Sequence, residues 1–257
     1  MTSDHPADGV PPIGGDELAQ ALGLIPVGKR LEEAFSCYLL AGVSLGFAMV
    51  AVPSLLKGAE NATNGPLSAS LEHVAESLTQ KAVLDAAATY DEAGDGANSL
   101  ANALTLITQH LKASTSISLG DREAARKLVN EVRDSVIANK STEIRTIRAW
   151  RNMWAGHRTS DVIADPWAKA NPVDFGVVEI GLNQMRAAFH EFALLLDQLP
   201  ELASLVGDAR RIDDRTFRMG ISLEGLSGKP LDFYLSIGRA QGEALLAHGF
   251  PFLKGGQ

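Results

Sequence analysis

Between Phe35 and Leu56 the chain runs 22 residues without a charged side chain (FSCYLLAGVSLGFAMVAVPSLL). A helix of that length reaches roughly 33 Å at 1.5 Å per residue, about the thickness of a bilayer core. Two settings accept such a helix: a membrane, or the centre of a bundle where neighbours cover it on every side. Gly42 and Gly46 form a GxxxG pair, which in lipid lets helices approach closely. Against a span, Ser36, Ser44, Ser54, two glycines and Pro53 dilute the segment, and Glu32 and Glu33 precede it closely. No aromatic belt flanks it either. The reading favoured is the central helix of a soluble bundle.

The rest of the chain supplies enough apolar material for such a bundle: 46% of 257 residues are hydrophobic and 21% charged, which excludes a wholly disordered chain. The formal charge of −8 means that any nucleic-acid role must rest on a local basic patch. Cys37 is the single cysteine, which rules out an intramolecular disulfide, a Cys-rich zinc site and a CxxC redox pair. Residues 1–28 hold four acids and four prolines but no Lys or Arg, unlike a secretory signal. They read as a disordered acidic tail, with a short helix at Asp16–Leu24 at most. Together these features point to the cytoplasm.

Helical spacing dominates from there to residue 200. A first helix is predicted over Leu31–Leu56, followed by a turn-rich break at 58–66 and a helix over Ser68–Glu92. Ser99–Leu111 carries Leu100, Leu104, Ile107 and Leu111 at spacings of three and four. Ser118-Leu119-Gly120-Asp121 is a helix start. Arg122 to His157 lacks proline and, before Gly156, glycine, so it forms one long helix or two. Pro166 and Pro172 bound a loop. Phe175–Leu199 then presents Val178, Leu182, Met185, Phe189, Phe192, Leu195 and Leu196 along one side. Strand signals are scarce before residue 200. The expected architecture is an all-α antiparallel bundle of four to six helices over 29–200, with residues 201–257 an extension of unassigned role in which Leu231–Leu246 has helical character.

Charge singles out one stretch. Residues 122–158 contain nine Lys and Arg against four Asp and Glu, a local surplus of five, which leaves −13 on the remainder. An acidic protein with one anion-binding site needs that separation. At its end stands Arg151-Asn152-Met153-Trp154-Ala155-Gly156-His157-Arg158, and all three tryptophans (Trp150, Trp154, Trp167) lie nearby. On a helical wheel Arg148, Arg151 and Arg158 fall within about 80°, whereas His157 lies about 120° from Arg151. A helix ending near Gly156, or a second chain completing the site, would close that gap. Trp150 and Trp154 suit a core better than a base-stacking platform. The other motifs of common chemistry (a phosphate loop, GxGxxG, HExxH, GxSxG) do not occur, and no cofactor or metal site is expected.

This octapeptide resembles the signature of the HEPN superfamily (higher eukaryotes and prokaryotes nucleotide-binding domains): an Arg, often with a polar residue directly after it, then four to six intervening residues, then a His. Arg151, Asn152 and His157 fit that pattern, and the helical layout over roughly 30–200 is most similar to the AbiU-type abortive-infection branch. The resemblance implies a metal-independent endoribonuclease in phage defence or a toxin–antitoxin pair. It would act as a homodimer on RNA, with a possible antitoxin-type protein partner. It implies His157 as general acid/base, Arg151 as phosphate clamp and Asn152 as positioner, with Arg148, Trp154 and Arg158 contacting RNA. The alternative is a non-catalytic module of the same fold that binds RNA or protein.

Overall fold

The computed structural model describes residues 27–91, 99–113, 118–138, 141–156, 173–199 and 231–254. Everything described is helical or turn: α1 (Val27–Asn61), α2 (Gly65–Ala88), α3 (Leu100–Ala113), α4 (Leu119–Ala138), α5 (Thr142–Gly156), α6 (Phe175–Gln198), α7 (Leu231–Gly249) and a 3-10 turn, Pro251–Lys254. The all-α expectation is met, with six helices among the described residues before residue 200. Most of the tail read at 1–28, the loop bounded by Pro166 and Pro172, and residues 201–230 lie outside the described residues.

Local signals set the helix ends. Ser118 caps α4, its Oγ accepting from the Asp121 backbone N–H at 3.2 Å. Ser141 caps α5 in the same way through Ile144 N–H, also at 3.2 Å. That second cap decides that Arg122–His157 starts out as two helices. Asp174 caps α6, accepting from Gly176 N–H at 2.8 Å, and Pro66 enters α2 in its first turn, where its missing N–H costs nothing. Several boundaries differ from expectation: α1 starts at Val27 rather than Leu31, α2 spans Gly65–Ala88 rather than Ser68–Glu92, and, most of all, α1 continues through Gly58 to Asn61 rather than breaking at 58. Its last carbonyls have partners that the sequence does not advertise. Asn61 Nδ2 donates to Lys57 O at 2.9 Å, and Ser68 Oγ donates to Ala59 O at 2.9 Å.

α1 is the hub. α2 returns along it antiparallel, tied by Ser44 Oγ to Asp85 Oδ2 at 2.5 Å, and α3, α6 and α7 also pack on it. Of the residues expected on the inner side of α6, Val178, Leu182, Met185, Phe189, Phe192 and Leu195 are buried, and the side chain of Leu196 lies outside the described residues. Phe189 meets Phe35 edge-to-face at 5.5 Å and lies 5.6 Å from Tyr38. Tyr38 in turn reaches Tyr234 of α7 at 6.4 Å. One aromatic cluster thus joins α1, α6 and α7.

α7 runs parallel to α1, because its contacts advance together. Gly42 meets Leu231 and Tyr234, Gly46 meets Leu235, and Gly242 meets Phe47 and Val50. The seam is glycine against backbone on both sides. A Cβ on Gly46 would run into the Leu235 backbone, and one on Gly238 would run into Val43 O. The GxxxG pair of α1 therefore meets a second one, Gly238-x-x-x-Gly242, within the same chain. The described part of the extension, α7 and the 3-10 turn, thus packs on α1. Arg30–Asn61 remains long and apolar enough to cross a membrane by length and composition. In this fold its residues Leu31, Tyr38, Ala41, Leu45, Ala48 and Leu55 are buried against its neighbours.

Candidate nucleic-acid interface

α5 lies against α6 and the end of α2. Ser141 Oγ, besides capping α5, donates to Gln184 Oε1 of α6 at 2.8 Å. Ile144, Ile147 and Trp150 form the inner side of α5; Trp150 is only 5% exposed, so it is a core residue. Ile147 leaves no room for a side chain at Gly181. With those three residues turned inward, the helical repeat puts Arg145 and Asn152 outward and exposed. Arg148 and Arg151 fall between, half-buried, at the edge facing the C-terminus of α2.

That placement gives both arginines partners in the fold. Arg148 Nη2 donates to the backbone carbonyl of Tyr90 at 2.9 Å. Arg151 Nη1 forms an ion pair with Asp91 Oδ1, and its Nε reaches Asn152 Oδ1 at 3.4 Å. A helix C-terminus exposes carbonyls and carries partial negative charge, so two guanidinium groups are favoured there. Tyr90 anchors the corner from the other side, its hydroxyl donating to Gly181 O. Burial holds that phenol well above the ordinary tyrosine range. Its ring also forms part of the wall of a half-open cleft of about 280 Å³ between α4 and α6, with Ser135, Val136, Gln184, Met185 and Glu191.

The sequence-predicted residues thus divide. Arg148, Arg151 and Asn152 come together on successive turns of α5. His157, Arg158 and the side chain of Trp154 lie outside the described residues. Asp91 and Tyr90 were missed by the sequence reading: nothing in a 60-residue separation marks Asp91 as the partner of Arg151. Cys37 sits half-buried on α1, where burial first, and then Asp85, Glu33 and Asp91, push its thiol up. A thiol surrounded by carboxylates is a poor nucleophile at neutral pH. His110 is half-buried, and burial pushes its imidazole down. His73, His190 and His248 are exposed. Comparison with protein-family models, curated proteins and solved structures finds no match to this chain.

Proposed function

We propose that this protein is a metal-independent endoribonuclease of the HEPN type. The observation that carries the reading is the placement of Arg151 beside Asn152 on the last turns of a basic helix, at the surface, with His157 next in the motif. RNA brings its own nucleophile. A base removes the 2′-OH proton, O2′ attacks the adjacent phosphorus, and the bond to the 5′-oxygen breaks as that oxygen is protonated. The products are a 2′,3′-cyclic phosphate and a 5′-hydroxyl. A histidine with a near-neutral pKa serves both proton transfers, each worth roughly 10²–10⁴-fold. The Arg151 fork stabilises the charge that builds on the phosphoryl oxygens, and Asn152 holds that fork through its amide oxygen.

The test is a mixed RNA pool incubated in excess EDTA with wild-type protein and with His157→Ala, the product ends being mapped. Cleavage by wild type alone, leaving cyclic phosphate and 5′-hydroxyl ends, is the expected result. Equal cleavage by both sinks the assignment of His157. A second reading, a non-catalytic module that binds RNA or protein, draws on one observation. Arg148 and Arg151 already serve the fold at the end of α2, a role that requires no chemistry. It predicts salt-sensitive RNA binding with no product. Homodimer formation, and a protein antitoxin that covers the basic face, extend the first reading.

A further inference from the structure

Asp91 stands where a phosphate would stand. Its carboxylate occupies Nη1 of Arg151, while Asn152 takes up the Nε side. An oxyanion arriving at this guanidinium must therefore displace Asp91 or bind against its charge. The pair is built to exchange: the two side chains are 34% and 36% exposed, and ion pairs so open to water contribute little. Among the described residues the Asp91 carboxylate has no hydrogen-bond partner besides Arg151. It follows the C-terminus of α2, where the helix dipole repels a carboxylate, and the neighbouring Tyr90 carbonyl already holds Arg148.

We propose that Asp91 is a tethered anion that guards Arg151, so that a single phosphate cannot hold the site whereas an RNA chain can. This rests on the ribonuclease reading and names its ligand class. A carboxylate fixed on the same protein competes with a lone phosphate or a mononucleotide, which has no further contact to offset that competition. A polyanion that also meets the exposed Arg145 on the same helix brings a second contact and opens the pair. Asp91 is a specificity residue acting through Arg151.

The experiment uses full-length protein and a fluorescein-labelled 20-nucleotide single-stranded RNA, with anisotropy and cleavage followed in parallel. Asp91→Asn should bind the RNA about 3–10-fold more tightly than wild type, the size expected from losing one exposed pair and one nearby like charge. Inorganic phosphate at a few millimolar should displace RNA from Asp91→Asn and not from wild type. Asp91→Glu, which keeps the charge, should behave as wild type, and Asp91→Ser stands in should the Asn variant fold poorly by circular dichroism. The gain must vanish in Asp91→Asn/Arg151→Ala. A gain that survives loss of Arg151 reflects net charge alone and overturns the proposal, as does unchanged affinity in Asp91→Asn. If wild type binds RNA and cleaves it through Arg151 while Asp91→Asn changes nothing, only the guard falls. If wild type neither binds nor cleaves, the ribonuclease reading falls with it.

Discussion

Where α1 meets α7 the helices touch through their backbones, Gly46 against Leu235 and Gly238 against Val43, and the charged Arg239 reaches Met49 Sδ only from the exposed rim, at 3.8 Å. Where α5 meets the end of α2 the contact is made by charged side chains that water reaches, Arg151 with Asp91 and Arg148 with a bare carbonyl. The first contact is steric and apolar: nothing dissolved in the cell can replace it. The second is electrostatic and partly exposed, and any oxyanion competes for it. The same chain thus contains a joint fixed by shape and a corner held by exchangeable charge. Only the corner has the chemistry a phosphate ligand needs.

Breaking the apolar side should cost the most. Phe189→Ala removes the ring that joins Phe35 and Tyr38, and should lower unfolding free energy by about 3–5 kcal/mol in urea titration. Gly238→Ala drives a methyl group into the Val43 carbonyl. A loss of about 1–3 kcal/mol is expected, since the helices must part to admit it; a neutral result would mean that α7 does not lie on α1 as described.

Alkaline titration sharpens the same contrast. The chain has three tyrosines, and burial is the first cause of a raised pKa in Tyr38, Tyr90 and Tyr234. A raised folded-state pKa means that the fold favours the neutral phenol. That contribution is fully present below the ordinary value near 10 and is lost as pH rises through the folded values. Phenolate absorbance should therefore stay low past pH 10 and then rise together with unfolding followed by circular dichroism. A separate early phase involving all three phenols would contradict this packing. At the charged corner the effects shrink. Arg148→Ala leaves the Tyr90 carbonyl without its donor and should cost about 1 kcal/mol by thermal unfolding, several-fold less than Phe189→Ala.

The sequence was most informative where one residue's surroundings depend on near neighbours along the chain. The inner side of α6 is readable from Val178 to Leu195 because a helix repeats every 3.6 residues. The caps at Ser118 and Asp174 are readable because they act within three residues. The glycines at 42 and 46 announce a close approach, but the spacing does not say that Gly238 and Gly242 supply the other half. The turn-rich residues 58–66 suggest an end to α1 before Gly58, yet tertiary contacts from Ser68 and the 3-10 turn carry the helix further. At the candidate site the motif marks Arg151 and Asn152 from local pattern. It is silent about Asp91, which only the folding of α2 against α5 brings to the guanidinium.

The most direct test of the account compares Arg151→Ala with wild type in two readouts on the same preparations, thermal unfolding and RNA cleavage in excess EDTA. The ion pair is open to water, so its loss should cost no more than about 1 kcal/mol of stability, whereas cleavage should fall by a factor on the order of 10² or more. Cleavage that persists unchanged in a folded Arg151→Ala protein would contradict the assignment of this corner as the phosphate site.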